Sequence, residues 1–220
     1  GDVPDRPISL FIVVPSRSGT TTLERETGSF DGVKRGYENP IVENAVRRSF
    51  QVGGFPTRSR PLELPSGLSD LFARFYEEEL RQRAGSAKVF TNTLPSRNED
   101  ALRIASCIPN TRFVFVKRNI DDQAIRIYMR NYKGGNEYAW NIDDIHHYIE
   151  WCHEMMDIMA AKMPENAITL HYEEMVSDPE KAVQRAARLC GLELNAVALP
   201  PVGDDRGCGA PYAGLISGNA

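Results

Sequence analysis

An apolar run at residues 10–14 is followed at once by Pro-Ser-Arg-Ser-Gly-Thr-Thr-Thr-Leu. A strand without a polar face is typical of the centre of a parallel sheet. Gly19 lets the backbone approach a ligand closely. Thr20 and Thr21 are suited to open a helix, whose free N–H groups and dipole favour phosphate or sulfate. Arg17 adds a guanidinium that can bind an oxyanion through two hydrogen bonds. The string therefore predicts a strand, an anion-binding loop and a helix.

The loop differs from the triphosphate-binding loop, whose pattern is Gly-x4-Gly-Lys-Ser/Thr, because it contains no Gly-Lys pair. We therefore expect an anionic nucleotide site that is not an ATP or GTP site. The same absence disfavours a P-loop kinase. An ordinary strand, turn and helix with a threonine N-cap remains the alternative for this segment.

Strands and helices alternate along the rest of the chain. Apolar patterns predict strands at 88–93, 112–117 and 167–171, and helices at 69–83, 98–107, 121–130, 142–163 and from 179 onward. Asp178 is expected to cap the last helix and Gly191 to end it. The Gly- and Pro-rich segment 50–65 is expected to be a surface loop that contacts the substrate. The alternation predicts an α/β fold with a mostly parallel central sheet flanked by helices.

The composition sets the class of protein. The chain has 220 residues, of which 41% are hydrophobic and 25% charged, which suits a single domain over residues 1–220 with a Gly-rich tail at 203–220. A net charge of −4 argues against nucleic acid or an anionic membrane as partner, and no apolar run is long enough for a membrane span.

The ends and the cysteines bear on the cellular context. The N-terminal sequence lacks a signal peptide, and the missing Met indicates a trimmed chain or one part of a longer protein. Four cysteines without CxxC spacing are read as free thiols, so we expect a cytoplasmic protein.

One face of the predicted helix 142–163 carries His146, Glu150, His153 and Asp157. Their spacing of i, i+4, i+7 and i+11 is compatible with metal ligands. A solvated helix face explains them as well, and we expect no metal here.

The second functional signal follows the strand at 112–117. Arg118 comes directly after this apolar strand, with Asp122 and Arg126 at intervals of four. A basic residue at the carboxyl end of a buried strand lies where open α/β sheets bind ligands, and an arginine there can hold a phosphate through two hydrogen bonds. A surface ion pair is the alternative for Arg118.

Three segments resemble, in order and spacing, the motifs of sulfotransferases that use 3'-phosphoadenosine-5'-phosphosulfate (PAPS). The loop after the first strand resembles the 5'-phosphosulfate loop, although it has an additional Thr. Arg118 and Asp122 match the 3'-phosphate motif, in which Ile120 replaces the usual Pro and Arg126 the usual Ser. The segment 171–180 resembles a strand, turn and capped helix of the family. The pattern is most similar to bacterial enzymes joined to tetratricopeptide repeats and to tyrosylprotein sulfotransferases.

The resemblance implies a three-layer P-loop-like fold, PAPS as donor, adenosine 3',5'-bisphosphate (PAP) as product and a hydroxyl-bearing acceptor. It implies that the donor is held by Ser16, Arg17, Ser18, Gly19, Thr20, Thr21 and Thr22 at the 5' end, and by Arg118 and Arg126, with Arg206 of the tail, at the 3' end.

The resemblance also implies the candidate catalytic residues Glu38, Arg17, Thr93 and Arg97. Counting from the loop without a gap places the general base of the nearest relatives at Glu38. Relatives carry a Lys facing the transferred group, and Thr93 stands at that position here. A hydroxyl cannot offset charge as an ammonium does, and loss of such a contact commonly costs ~3–4 kcal/mol of transition-state stabilisation. Arg97 is the candidate substitute.

The sequence therefore predicts a PAPS-dependent sulfotransferase acting on a carbohydrate, peptide or small-molecule hydroxyl. The alternative is a non-catalytic or weakly active PAPS- or PAP-binding domain of a larger protein, which Thr93 favours.

Overall fold

The centre of the molecule is a five-stranded sheet in which every described pair of strands is parallel. The computed structural model describes residues 6–15, 23, 27, 28, 30–95, 98–130 and 137–192. The strands are β1 (Ile8–Val14), β2 (Val33–Lys34), β3 (Val89–Pro95), β4 (Thr111–Lys117) and β5 (Ala167–His171), in the spatial order β2-β3-β1-β4-β5.

Helices cover both faces of this sheet. They are α1 (Ile41–Val52), α2 (Ser69–Ala84), α3 (Ala101–Cys107), α4 (Ile120–Tyr128), α5 (Ile142–Lys162), α6 (Tyr172–Ser177) and α7 (Pro179–Leu189). Short 3-10 turns lie at Pro61–Glu63, Ser66–Leu68, Asn98–Asp100 and Glu137–Trp140. The arrangement confirms the predicted P-loop-like α/β fold with a parallel sheet between helical layers.

β1 is buried on both faces, as its unbroken apolar sequence predicts. Alternate side chains enter two separate cores because successive residues of a strand point to opposite faces. Phe11 and Val13 belong to the first core, which contains residues of α1, α2, α3 and α5. Leu10 and Ile12 belong to the second core, which contains Leu23 and residues of α7.

Aromatic side chains fill the first core across neighbouring strands. Phe11 of β1 stacks on Phe113 of β4, with ring centroids 5.3 Å apart, and Phe113 stacks on Phe115. The buried hydroxyl of Tyr76 on α2 donates a hydrogen bond to Ser9 Oγ at 2.9 Å, so the polar group of this buried side chain has a partner within the core. Burial of each such side chain stabilises the fold by about 1.5–3 kcal/mol.

Most predicted elements are confirmed within one or two residues. Asp178 caps α7, since its side chain accepts from the Lys181 N–H at 3.0 Å, and Gly191 has a φ of +64° just beyond the helix end. The predicted helix 98–107 begins instead as a 3-10 turn.

The predicted loop 50–65 differs at both ends. Its first three residues complete α1, because Phe50 is buried on the apolar face of that helix. Its later part contains the 3-10 turn Pro61–Glu63.

The strand order fixes where a ligand can bind. From β1 the chain reaches β2 and β3 on one side of the sheet and then crosses to β4 and β5 on the other. Ligands of open α/β sheets bind at the carboxyl ends of the strands where the direction of winding changes. In this fold that position is the end of β1, between the ends of β3 and β4. Among the residues described, no helix is long and apolar enough to cross a membrane.

Candidate functional site at the carboxyl edge of the sheet

Two groups of candidate residues meet this edge from opposite sides. Arg118 follows β4, while Thr93 lies two residues before the end of β3. The segment after β1 leaves the edge at Pro15, and Leu23 returns to the second core. The following predicted site residues lie outside the described residues: Ser16, Arg17, Ser18, Gly19, Thr20, Thr21, Thr22, Arg97 and Arg206.

On the β4 side, Arg118 is almost completely buried, with 6% of its surface exposed. Its Nε donates to Asp122 Oδ2 at 2.5 Å, and Arg126 Nε lies 3.2 and 3.3 Å from the two oxygens of the same carboxylate. The structure therefore brings together all three residues of the second motif. Two guanidiniums share one carboxylate, so these three side chains together carry a net charge of +1.

The turn that presents Arg118 is fixed from both ends. The Asn119 side chain caps α4 by accepting from the Asp122 N–H at 3.0 Å. The Asn119 N–H donates to Glu173 Oε1 at 2.8 Å. The ring of Tyr172 lies 4.1 Å from the Arg118 Cζ, a cation–π contact. Arg118 is thus held by neighbours on α4 and α6 as well as by its own strand.

A cavity of about 410 Å³ opens beside Arg118. Its lining is polar except for one isoleucine and consists of Lys117, Arg118, Asn119, Ile120, His153, His171 and Glu173.

Lys117, at the end of β4, and His153, on α5, both line this cavity. Lys117 Nζ donates to Asp157 Oδ1 of α5 at 2.5 Å. His153 Nε2 is enclosed and has no hydrogen-bond partner among the described residues. Burial, reinforced by the charge of Lys117, lowers the pKa of His153 to about 4. We interpreted this helix face as solvated, but the ends of β4 and β5 cover part of it.

On the β3 side, the segment 35–39 runs along the end of the strand. Gly36 N–H donates to Thr91 Oγ1 at 3.1 Å, and the Thr93 N–H donates to Tyr37 O at 3.0 Å. Glu38 therefore follows directly on a residue that is hydrogen-bonded to Thr93. The carboxylate of Glu38 is exposed at the edge of the sheet.

The close approach of this segment depends on Gly36. A Cβ placed on Gly36 would lie 2.1 Å from the carbonyl oxygen of Thr91, which only a missing side chain avoids. Tyr37 has a φ of +56°, an uncommon value for a residue other than glycine. Asn39 completes the turn by donating to Gly36 O at 3.0 Å and accepting from the Ile41 N–H at 3.1 Å. The backbone position of Glu38 is therefore fixed by its neighbours, although its side chain is exposed to solvent.

The segment 53–65 is fastened to the 3-10 turn that follows β3. Arg60 pairs with Glu99 and with Asp100, whose Oδ2 is 3.4 Å away, and the Leu62 N–H donates to Asp100 Oδ1 at 3.3 Å. Burial raises the pKa of Asp100, although the charge of Arg60 opposes this. The predicted substrate loop thus lies beside the 3-10 turn Asn98–Asp100, which follows β3 in the sequence.

Sequence reasoning missed the roles of Glu173 and Lys117 at this edge, and it assigned His153 to a solvated helix face. Each of the three interacts with at least one residue more than 30 positions away: Glu173 with Asn119, Lys117 with Asp157, and His153 with Lys117. No local pattern reveals such contacts. Lys117 carried one usable signal, since it is a charged residue inside an otherwise apolar strand.

Comparisons with known proteins establish the family of this chain. A model of the sulfotransferase family matches residues 7–196 of the chain. The chain belongs to the sulfotransferase family. The match includes both sides of the edge described above, with Glu38 and Thr93 on one and Arg118 on the other.

Solved sulfotransferases share the fold of this family member. The sulfotransferase from Alicyclobacillus acidocaldarius superposes with a TM-score of 0.55 at 17% identity, over 89% of this chain and 87% of that one. A sulfotransferase from Mycobacterium tuberculosis H37Rv gives a TM-score of 0.56 at 12% identity, over 87% of this chain and 69% of that one. At these identities the likeness concerns the fold alone.

A sequence relative is an uncharacterised protein of Aquifex aeolicus (strain VF5), 25% identical over 196 residues. The alignment covers 85% of this sulfotransferase chain and 26% of the relative. The chain therefore spans about a quarter of the length of the relative that it matches.

Proposed function

We propose that this chain transfers a sulfuryl group from PAPS to a hydroxyl group of an acceptor. The observation that carries the proposal is Arg118, a nearly buried guanidinium at the carboxyl end of β4 in a chain of the sulfotransferase family. A buried charge is costly unless it is paired and hydrogen-bonded. Asp122 pairs with both Arg118 and Arg126, so these three side chains together carry a net charge of +1, which attracts a phosphate.

The donor spans the edge in this proposal. Residues 16–22 hold the 5'-phosphosulfate, while Arg118 and Arg126, with Arg206, hold the 3'-phosphate. The residues present fit such a group, since Arg126 brings its guanidinium to the carboxylate that also binds Arg118. The adjoining cavity of about 410 Å³ leaves room for the nucleoside next to the 3'-phosphate. A phosphate bound to guanidinium groups at two hydrogen bonds each gains both affinity and orientation.

The proposed chemistry is an in-line displacement. Glu38 accepts the proton of the acceptor hydroxyl, and the oxygen attacks sulfur with its electron pair. The bond between sulfur and the bridging oxygen of the 5'-phosphate breaks, and PAP leaves with that electron pair. The products are a sulfate ester and PAP. Positioning and charge stabilisation supply most of the rate in such reactions.

The second candidate function is nucleotide binding without appreciable turnover. The observation that favours it is Thr93, which is buried and uncharged where the resemblance implies a lysine. This alternative retains the Arg118 site and dispenses with Glu38 as base.

The proposal also includes a reducing cellular compartment. The free thiols of Cys107, Cys152 and Cys190 support it.

The test is transfer of labelled sulfate from PAPS to a panel of sugars, tyrosine peptides and small alcohols or phenols, with labelled ATP as control donor. We expect labelled product from PAPS and none from ATP. Calorimetry with PAP, ADP and ATP accompanies the assay, and PAP is expected to bind most tightly. Tight PAP binding without transfer to any acceptor would establish the second candidate, while equal or tighter ATP binding would refute both.

A further inference from the structure

We propose that Arg35 is a catalytic residue whose guanidinium stabilises the negative charge that develops as the sulfuryl group is transferred. The inference rests on the proposed function. Displacement at sulfur leaves negative charge on the bridging oxygen of the 5'-phosphate, and a cation beside that oxygen stabilises it. Thr93, at the end of β3, offers a hydroxyl group only. Arg35 enters the same region from the neighbouring strand.

Strand pairing places Arg35 beside the end of β3. In the parallel register of β2 and β3, Val33 is opposite Val89 and Lys34 is opposite Phe90. The next residue of each strand follows, so the backbone of Arg35 lies level with Thr91. Two residues later, Tyr37 O accepts from the Thr93 N–H at 3.0 Å. Arg35 is therefore close in space to Thr93 although 58 positions separate them in the sequence.

The two side chains face the same side of the sheet. Val89 belongs to the second core and Val33 packs against it. Since alternate residues of a strand share a face, Thr93 lies on the face of Val89 and Arg35 on that of Val33.

The contact with Gly28 supports this assignment. A Cβ on Gly28 would lie 2.3 Å from Cγ and Cδ of Arg35, so the arginine side chain runs directly against the backbone there. Leu23, five residues before Gly28, is in the second core. Leu23 is the first described residue after the proposed phosphosulfate loop, residues 16–22.

Arg35 differs from the other arginines of the edge in its ion pairing. Arg118 and Arg126 share Asp122, and Arg60 pairs with Glu99 and Asp100. No carboxylate in the described part of the chain pairs with Arg35.

The contact that the structure gives the guanidinium of Arg35 is with Tyr37, whose ring centre lies 5.4 Å from the Arg35 Cζ. A cation–π contact at an exposed site holds the group only weakly, leaving its charge and its N–H donors for an anion. The guanidinium of Arg35 is thus next to Tyr37, in the segment that carries the proposed base, Glu38.

The test compares four variants in sulfuryl transfer from PAPS and in PAP binding. Arg35→Met removes the charge and keeps much of the side-chain length. Arg35→Lys keeps the charge. Lys34→Met makes the same charge change one residue away, on the opposite face of β2. The double variant Arg35→Met, Thr93→Lys restores a cation from the facing strand.

We expect Arg35→Met to lower kcat by about 10²-fold, with PAP affinity within about threefold and the circular dichroism spectrum unchanged, because an exposed side chain contributes little to stability. The kcat of Arg35→Lys should lie between those of wild type and Arg35→Met. The kcat of Lys34→Met should be within about twofold of wild type. The double variant should regain at least about tenfold in kcat over Arg35→Met.

Three results would overturn the assignment of Arg35 while leaving the proposed function intact. The first is an active wild type together with an Arg35→Met variant of the same kcat. The second is an equal loss of kcat in Lys34→Met and in Arg35→Met. The third is a folded double variant whose kcat is no higher than that of Arg35→Met. Absence of transfer by the wild type, with PAP still bound, would overturn the proposed function itself.

Discussion

The two sides of the sheet edge are built differently. On the β4 side, Arg118 has 6% of its surface exposed and is fixed by Asp122, Tyr172 and the capped turn at Asn119. On the β3 side, Glu38 is exposed and follows a residue in an unusual backbone conformation. A buried, hydrogen-bonded cation suits a group that must be held throughout the reaction. An exposed carboxylate suits a group that must first admit the acceptor and its proton.

This contrast separates binding from chemistry in the proposed function. Changes on the β4 side should affect nucleotide affinity, whereas changes on the β3 side should affect turnover at constant nucleotide affinity. An interaction present equally in the ground state and the transition state alters affinity, and one made in the transition state alone alters the rate.

The largest effect is expected from Glu38→Gln. The substitution keeps size and hydrogen-bonding capacity but removes the base, which typically costs ~10²- to 10⁴-fold in rate. We expect kcat on a sugar or alcohol acceptor to fall by this amount while PAP affinity stays constant. Acidic phenols should lose less, because they need less help to ionise. Steady-state kinetics with each acceptor measures the effect.

Glu150→Gln is the matched control, since Glu150 is an exposed carboxylate on α5. Glu150→Gln should leave both kcat and PAP affinity unchanged. Normal turnover of Glu38→Gln on an alcohol would remove Glu38 from the mechanism and end the division between the two sides.

Arg118→Ala should weaken PAP binding by about 1.5–3 kcal/mol, the range for hydrogen bonds to charged groups. Calorimetry measures the loss directly, and Arg48→Ala serves as control, because Arg48 forms a surface pair with Glu78. Unchanged PAP affinity in a folded Arg118→Ala protein would reduce Arg118 to a structural ion pair with Asp122.

Gly36→Ala should disturb the β3 side alone. The new Cβ would meet Thr91 O at 2.1 Å, so the segment 36–39 must move away from β3. Overpacking of this kind costs about 1–3 kcal/mol of unfolding free energy. We expect lower turnover at normal PAP affinity. Gly67→Ala is the control, because nothing lies within 4 Å of a Cβ there, and equal behaviour of the two variants in thermal unfolding and kinetics would contradict the structure of this segment.

The smallest effect concerns the pH dependence of stability through His153. Its pKa in the folded protein is about 4, below the ordinary value of 6.5. Between these values the unfolded chain binds more protons, so His153 lowers stability as the pH falls from 6.5 towards 4 and has its full benefit above 6.5. The full shift would correspond to about 3.4 kcal/mol, and the loss is smaller than this because solvent partly screens the half-buried imidazole.

His153→Gln should flatten the dependence of unfolding free energy on pH in this window, as measured by urea unfolding. Since Lys117, Asp157, His171 and Glu173 also act on this imidazole, the slope is expected to decrease rather than vanish. His147→Gln, at an exposed position of α5, should leave the slope unchanged. Identical slopes for the two variants would contradict the burial of His153.

The β4 side was accessible from the sequence because its determinants are local. An apolar strand followed by a basic residue, with a carboxylate four residues later, specifies a strand end, a helix start and an ion pair within twelve residues. Arg118 and Asp122 were identified from this pattern, and the structure pairs them. The apolar run of residues 10–14 likewise identified the central strand.

The β3 side depends on contacts that no local pattern contains. Glu38 could be counted from the preceding loop, but its position beside Thr93 follows from a two-residue strand and from Gly36, whose missing side chain admits the Thr91 carbonyl. Arg35 gave no sequence signal, since a basic residue before a glycine is common on protein surfaces. Its placement follows from pairing with a strand more than 50 residues away.

The most direct test of this account is one calorimetric comparison of PAP binding to the wild type, Arg118→Ala and Glu38→Gln, each checked for folding and for sulfuryl transfer. The account predicts that Arg118→Ala binds PAP about 10- to 150-fold more weakly. It predicts that Glu38→Gln binds PAP within about twofold of wild type and transfers sulfate at least about 10²-fold more slowly. Equal loss of PAP affinity in both variants, or none in either, would contradict it.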